Sequence, residues 1–502
     1  MKQGEMMKKI LVFLVITLAS FLVVGCQKDE LLFQKKNLTN YSMQIEMDDD
    51  GMSFSAKQVV DYINNSDQIF EQLSFHLYPS AFREGASQKV ISLSAFTKAY
   101  YDGQNFSTQE ITNVDVLGQE QTEFEIAGTD YNILRVSLDE KLYPKDRVKI
   151  EMVYNITLPK INHRFGVGKN TINVGNFFPI ACVYEDGKFM ESPYSSNGDP
   201  FYSDMANFEV SLSYNEKFEL ATCGSVQKTT ETNGKKTSLI SASVIRDFAF
   251  VLSENFKVIK QDCNGVDVLY YYFDELEPEK SLEVSVLALK TFSEKFGAYP
   301  YKTLSVVKAS FVHGGMEYPT LVYIADDIKE IKDYHNVIVH EIAHQWWYGM
   351  VGSNAFAMPW LDEGLTDYST ALFYELNPQY ERKLEDIMLQ GIRTYAFFVD
   401  AYTALYKTVD QTMDRALDEY MNENEYVYIT YVKGMLLFDG LRKHVGDTAF
   451  FKSLQTYFKT YKFENAKVED MIACFERVTK RSLESFFSSW IDGKVVIMQA
   501  AA

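Results

Sequence analysis

His340-Glu341-Ile342-Ala343-His344, followed by Trp360-Leu361-Asp362-Glu363-Gly364, is the stretch whose reading decides the architecture of this chain. The chain holds only seven histidines, so two that bracket a glutamate at i and i+4 carry information. On a helix, positions four apart share a face, and both imidazoles can aim at one point. Glu341 then sits beside that point without being a ligand. Zinc asks for such a set: two histidine nitrogens, a carboxylate from elsewhere and an open fourth position. Glu363 supplies the carboxylate. Its rival reading is a solvated helix face, but it follows Trp360-Leu361 and precedes Gly364, and glycine inside a helix marks close approach. The expectation is one Zn²⁺ per chain, held by His340, His344 and Glu363. Zinc lowers the pKa of bound water to about 7, and Glu341 is the natural general base for that water. Asp367, four residues after Glu363 on the same side of that helix, is a candidate acceptor for orienting a histidine, against a plain surface aspartate.

Working outward, the motif helix is expected from about Tyr334 to Tyr348, ended by Gly349. The next helix starts near Pro359, a residue suited to a first turn. Upstream, Pro278-Glu279 opens a helix through about Phe296, and a short β segment runs from Thr303 to about Ile324. Beyond Asp333 the pattern is helical nearly to the end. The stretch 39–255 reads as β-structure. Asp146 to Met152 and Phe208 to Tyr214 alternate apolar and polar residues, the period of half-buried strands. Polar alternate faces favour antiparallel sheets. Between them, Asn197-Gly198-Asp199-Pro200 with its serine-rich approach predicts an extended loop. The fold class is therefore multidomain α+β: an N-terminal antiparallel β domain over 39–255, then a mainly helical domain over 256–502.

Composition agrees with a globular protein: 46% of residues are apolar and 24% charged. A net charge of −20 argues against nucleic acid and against an electrostatic hold on anionic lipid. Residues 1–26 read as a targeting segment, with Lys8 and Lys9 before an apolar run from Ile10 to Val24. Its end, Val23-Val24-Gly25-Cys26, resembles a bacterial lipoprotein signal, with Cys26 as the lipidated residue; the alternative is a signal anchor with an incidental cysteine. Residues 27–38 then form a tether, and the remainder is expected on the extracytoplasmic face of the cell membrane. Cys182, Cys223, Cys263 and Cys474 form no C-x-x-C pair, and buried free thiols are expected.

With these residues in hand, the chain resembles the zinc aminopeptidase family of the aminopeptidase N and leukotriene A hydrolase type. His340, Glu341, His344 and Glu363 match its zinc motif, and Gln345-Trp346-Trp347 is similar to the residues that follow. Gly314-Gly315-Met316-Glu317-Tyr318 matches its G-x-M-E-N loop with tyrosine in place of asparagine. The resemblance implies that Gly314, Gly315, Met316 and Glu317 bind substrate, with Glu317 holding the free amino terminus. Tyr431-Val432-Lys433-Gly434 matches a family tyrosine that donates to the oxyanion; Tyr426 and Tyr428 are its nearest rivals. Phe75 to Pro79 and Asp199 to Asp204 resemble segments of the family's N-terminal β domain, a saddle-like sandwich that precedes a thermolysin-like catalytic domain. The implied function is removal of amino-terminal residues from peptide substrates. The alternatives are a non-catalytic peptide-binding lipoprotein and a zinc endopeptidase. Larger members continue into a helical domain that covers the site, so a more open cleft, or one covered by an unidentified partner, is expected.

Overall fold

The computed structural model describes residues 37–275 and 277–497. The leader, Cys26 and all but the last two residues of the tether lie outside the described residues. Alternation is what makes the first half a sheet protein. Along Ala206–Asn215 the residues Ala206, Phe208, Val210, Leu212 and Tyr214 are buried and those between them face outward. This strand lies in a seven-stranded sheet, in the order Ser225–Thr232, Lys235–Ile245, Ala206–Asn215, Thr39–Met47, Ser53–Ile63, Arg147–Thr157, Thr108–Val116. One pairing departs from the antiparallel expectation: Thr39–Met47 runs parallel to Ala206–Asn215, with Thr39 opposite Ala206. A hairpin forces antiparallel pairing, whereas a strand arriving by a long connection is free to take either direction. Two four-stranded sheets and the two-stranded pair Tyr184–Glu185 and Lys188–Phe189 complete the β part, and one core unites the larger sheets. Tyr41 stacks on Phe208 at 4.9 Å and meets Phe178 edge-on at 5.5 Å.

After Ser253 the chain changes sheets. Lys257–Cys263 and Val266–Tyr272 join Thr303–Ala309, Leu321–Ala325 and Gly315–Met316 in a five-stranded sheet, with the helix Pro278–Lys295 inserted between its second and third strands in sequence. From residue 331 onward the described chain is mainly helical, so the fold is mixed α+β, β-rich first and helical second. One hydrophobic core unites the β half with the five-stranded sheet, running from Tyr41 through Phe250 to Tyr318 and Ala325. Buried polar bonds stitch the seam. Asn173 Nδ2 donates to Ser310 O at 3.0 Å, and Asn170 Nδ2 and Ser310 Oγ both donate to Asp326 at 2.8 and 2.9 Å. Arg246 is buried and donates to the carbonyls of Tyr348 and Ser203 and to Asn465 Oδ1. The four cysteines after residue 37 are free and buried. Among the described residues no helix is long and apolar enough to cross a membrane.

Candidate active site

The motif helix spans Ile331–Ala343, its apolar stripe of Tyr334, Ile338 and Ile342 turned inward. It ends at Ala343, five residues before the Tyr348 that Gly349 suggests. The reason is burial: Trp346 and Trp347 leave the helix to enter the core, where their indole N–H groups reach Gly297 O at 2.8 Å and Ser369 Oγ at 2.9 Å. The chain then reverses through Tyr348, at φ +130°. The second helix, Trp360–Leu376, delivers Glu363 from its first turn. Gly364 explains how close it comes: a Cβ there would lie 2.7 Å from the Cα of Gly434.

Three ligand atoms converge. His340 Nε2 and His344 Nε2 are 3.1 Å apart, and Glu363 Oε2 lies 3.3 and 3.0 Å from them. Ligands about 2.1 Å from a tetrahedral zinc stand about 3.4 Å from one another, so the set fits the metal. The outer ring nitrogens agree. His340 Nδ1 lies 3.0 Å from Asp367 Oδ1, and His344 Nδ1 lies 2.9 Å from Trp347 O. Donating outward fixes both tautomers and leaves each Nε2 lone pair facing the shared point. Burial opposes charge on His340, but hydrogen bonds to Asp367 and Glu363 outweigh it and hold its pKa up at about 10. Burial likewise opposes charge on Glu363, yet the histidines beside it pull its carboxyl well below the usual range. Without a metal the Glu363 carboxylate favours protons on both histidines, and a divalent cation bound on the same three atoms would displace them.

Glu341 points beside this set. Its Oε2 is buried with no hydrogen-bond partner among the described residues, the state of a base whose partner is a water or substrate. Burial first, and then the neighbouring Glu317, raise its pKa to about 8 against the pull of His340. Glu317 is almost fully buried, and its carboxylate, that of Glu341 and a nitrogen of His344 lie within 4.8 Å of one another. Tyr431 Oη donates to the second oxygen of Glu363 at 2.6 Å, and its ring lies over that of His340 at 5.9 Å. Tyr426 Oη is 3.4 Å from Tyr431 Oη, whereas Tyr428 stacks on Phe398 at 4.8 Å, outside the cavity lining. The lined cavity measures about 390 Å³ and includes Gly314, Gly315, Glu317, Glu341 and Tyr431.

Met316 requires a correction. It is wholly buried in the core and does not line the cavity. Successive residues of a strand face opposite ways, so Gly315 toward the cavity sends Met316 behind it. Tyr318 also faces away, donating to Asn176 Oδ1 at 2.6 Å. Several positioning residues are not selected by the motif. Gln345 accepts from Thr320 N at 2.7 Å and donates to Tyr318 O at 3.2 Å, tying the Glu317 loop to the motif. Thr366 Oγ1 lies 3.2 Å from His344 Nδ1. From the β half, Arg164 and Asp199 form an ion pair on the cavity wall, and Ser94 Oγ donates to Glu423 at 3.1 Å near its rim.

Two histidines and a glutamate converging on one point, with a second glutamate beside them, are the donor set that zinc peptidase chemistry needs. Residues 280–490 match the sequence model of the peptidase family M1 domain. Aminopeptidase N of Streptomyces lividans is 27% identical over 231 residues, covering 44% of this chain and 26% of that protein. Aminopeptidase 2 of Candida albicans is 25% identical over 349 residues, covering 62% of this chain and 36% of that one. The chain thus spans about a quarter to a third of these relatives' lengths. The crystal structure of an M1 zinc metallopeptidase from Deinococcus radiodurans superposes with a TM-score of 0.61 at 17% identity, covering 93% of this chain and 97% of that one. It shows a shared fold. These matches make residues 280–490, which carry the motif, similar to the peptidase family M1 domain, and the chain is similar over that part to aminopeptidases.

Proposed function

We propose that this chain is a zinc-dependent aminopeptidase that removes single residues from the amino termini of peptides, at the extracytoplasmic face of a bacterial membrane. The observation that carries the reading is Glu317, whose carboxylate lies within 4.8 Å of Glu341 and His344. A carboxylate there pairs with a substrate ammonium and leaves room for one residue before the scissile bond. An endopeptidase has no use for it. His340, His344 and Glu363 would hold zinc, which when bound would supply Lewis acidity. Glu341 takes up a proton from the attacking water at its unpartnered oxygen and delivers it to the leaving amine. Tyr431 donates its hydroxyl proton in a hydrogen bond to the oxyanion as charge develops. Glu317 holds the amino terminus throughout.

The test combines zinc stoichiometry with aminoacyl chromogenic substrates and their amino-blocked counterparts. One zinc per chain and turnover of the free amines alone are expected. Zinc with no turnover of either would return the chain to a peptide-binding role, and equal turnover of both to an endopeptidase. Glu341→Gln should abolish turnover with zinc retained. Glu317→Ala should cost free-amine substrates far more than blocked ones.

Attachment through lipid at Cys26 is supported by the sequence of the leader. A fatty-acid label that is incorporated into the wild type and lost in Cys26→Ser checks it; equal labelling of both would reject it. A polypeptide covering the cavity rim remains part of the proposal, and elution of the native protein as a stable hetero-complex is the result that supports it.

A further inference from the structure

Lys433 is a buried cation that none of these steps uses. It is fully buried, and its ammonium donates to the carbonyls of Gln411 at 2.5 Å and Trp490 at 2.8 Å. The charges nearest to it, Asp410 and Arg415, are paired with each other at 3.6 Å. Holding a cation on two neutral carbonyls is costly, and burial pushes the ammonium down to about 8. What the two bonds accomplish is geometric.

Lys433 closes the π-helical turn Tyr428–Lys433, the turn that carries Tyr431. Its two acceptors come from separate segments, Gln411 after the helix Leu384–Tyr406 and Trp490 near the end of Glu484–Ile491. Those segments are themselves joined, with Met413 N donating to Ile491 O at 2.8 Å. A Cβ on Gly493 would come within 2.9 Å of the Gln411 backbone, so the joint is close-packed. On the other side of the turn, Gly434 lies against Gly364, the neighbour of Glu363. The turn is thus held between two fixed supports, with Tyr431 Oη 2.6 Å from Glu363 Oε1. A π-turn is a rare, one-residue insertion in an α-helix. Relaxing it to α shifts the register by one residue, which swings a side chain about 100° around the axis.

We propose that Lys433 is a positioning residue for the hydrolysis: by bridging the Gln411 and Trp490 carbonyls it locks the π-turn in the register that aims Tyr431 at the oxyanion. The inference rests on the aminopeptidase reading given above. A double-mutant cycle tests it. Tyr431→Phe should lower kcat by roughly 100-fold or more, the usual cost of one oxyanion donor. Lys433→Met should lower kcat by about tenfold or more through misplacement, with KM within about twofold and zinc content unchanged. In the Tyr431→Phe background, Lys433→Met should cost nothing further. Multiplicative losses in both backgrounds, or a change confined to KM, would overturn the proposal. If Lys433→Met does not fold, Lys433→Gln, which keeps a donor for one carbonyl, goes through the same cycle. A crystal structure of the folded variant adds a readout independent of turnover. The Tyr431–Glu363 bond should be broken and the turn relaxed; an unchanged bond rejects the role of Lys433. A wild type inactive on free-amine substrates rejects the aminopeptidase reading instead.

Discussion

Gly315 has no room for a side chain: a Cβ there would come within 2.2 Å of Glu341 Oε1. Gly315→Ala therefore presses on the general base without touching the zinc ligands. We expect kcat to fall by roughly 100-fold, the scale of a misplacement near 1 Å, with zinc content and the circular dichroism spectrum unchanged. Asp367 acts one bond further out, through His340 Nδ1. Asp367→Asn should weaken zinc binding by about 10- to 100-fold, read by competition with a chromogenic chelator. The ligands were legible in the sequence because helical periodicity turns positions 340 and 344 into neighbours on one face, and because Gly364 marked a crowded helix. Gln345, Thr366, Arg164 and Asp199 were not legible as a set. Their partners lie in segments far apart in sequence, and no local period connects them. Met316 departs from the motif expectation for a different reason: a motif match records residue types, whereas strand alternation decides which of them face the cavity.

Elements position the site through close backbone contact. The helix Trp360–Leu376 and the helix Gly434–Val445 meet at Gly364 and Gly434, where each would place a Cβ 2.7 Å from the other's Cα. Gly434→Ala should overpack this crossing at a cost of about 1–3 kcal/mol, lowering the thermal midpoint. Because Glu363 and Tyr431 flank the contact, zinc affinity and kcat should fall together. A variant that lost stability alone would show that the crossing does not position the site. Strands 206–215 and 147–157 were legible from alternation. The end of the motif helix was not, since Gly349 satisfies the local rule while burial of Trp346 and Trp347 ends the helix at Ala343. The parallel partner of the first strand was equally hidden, because pairing over so long a connection leaves no trace in either strand's own pattern.

At the scale of the molecule, one core joins the β half to the five-stranded sheet, and buried Arg246 ties that half to Tyr348 and Asn465, so the two parts should unfold together despite their different architectures. Calorimetry should record a single transition whose calorimetric and van't Hoff enthalpies agree; two resolved transitions would contradict it. Two buried histidines act against this unit in acid. Burial holds His76 down to about 4 and His313 to about 3, against about 6.5 when unfolded. Groups with depressed folded pKa values contribute stability that is complete above about pH 6.5 and lost as the pH falls through the folded values. Wild type should therefore lose stability relative to His76→Gln between about pH 6.5 and 4 when the two are compared under identical zinc conditions. The placement of Thr39–Met47 has a consequence for biosynthesis. That strand lies inside its sheet, yet one of its two neighbours, Ala206–Asn215, is translated long after it. Until then one edge of the strand stands open, with unpaired backbone groups available to any other chain. Nascent or truncated forms ending before residue 206 are thus the aggregation-prone species of this protein. A holding chaperone acting on the emerging chain would have its greatest effect in that interval.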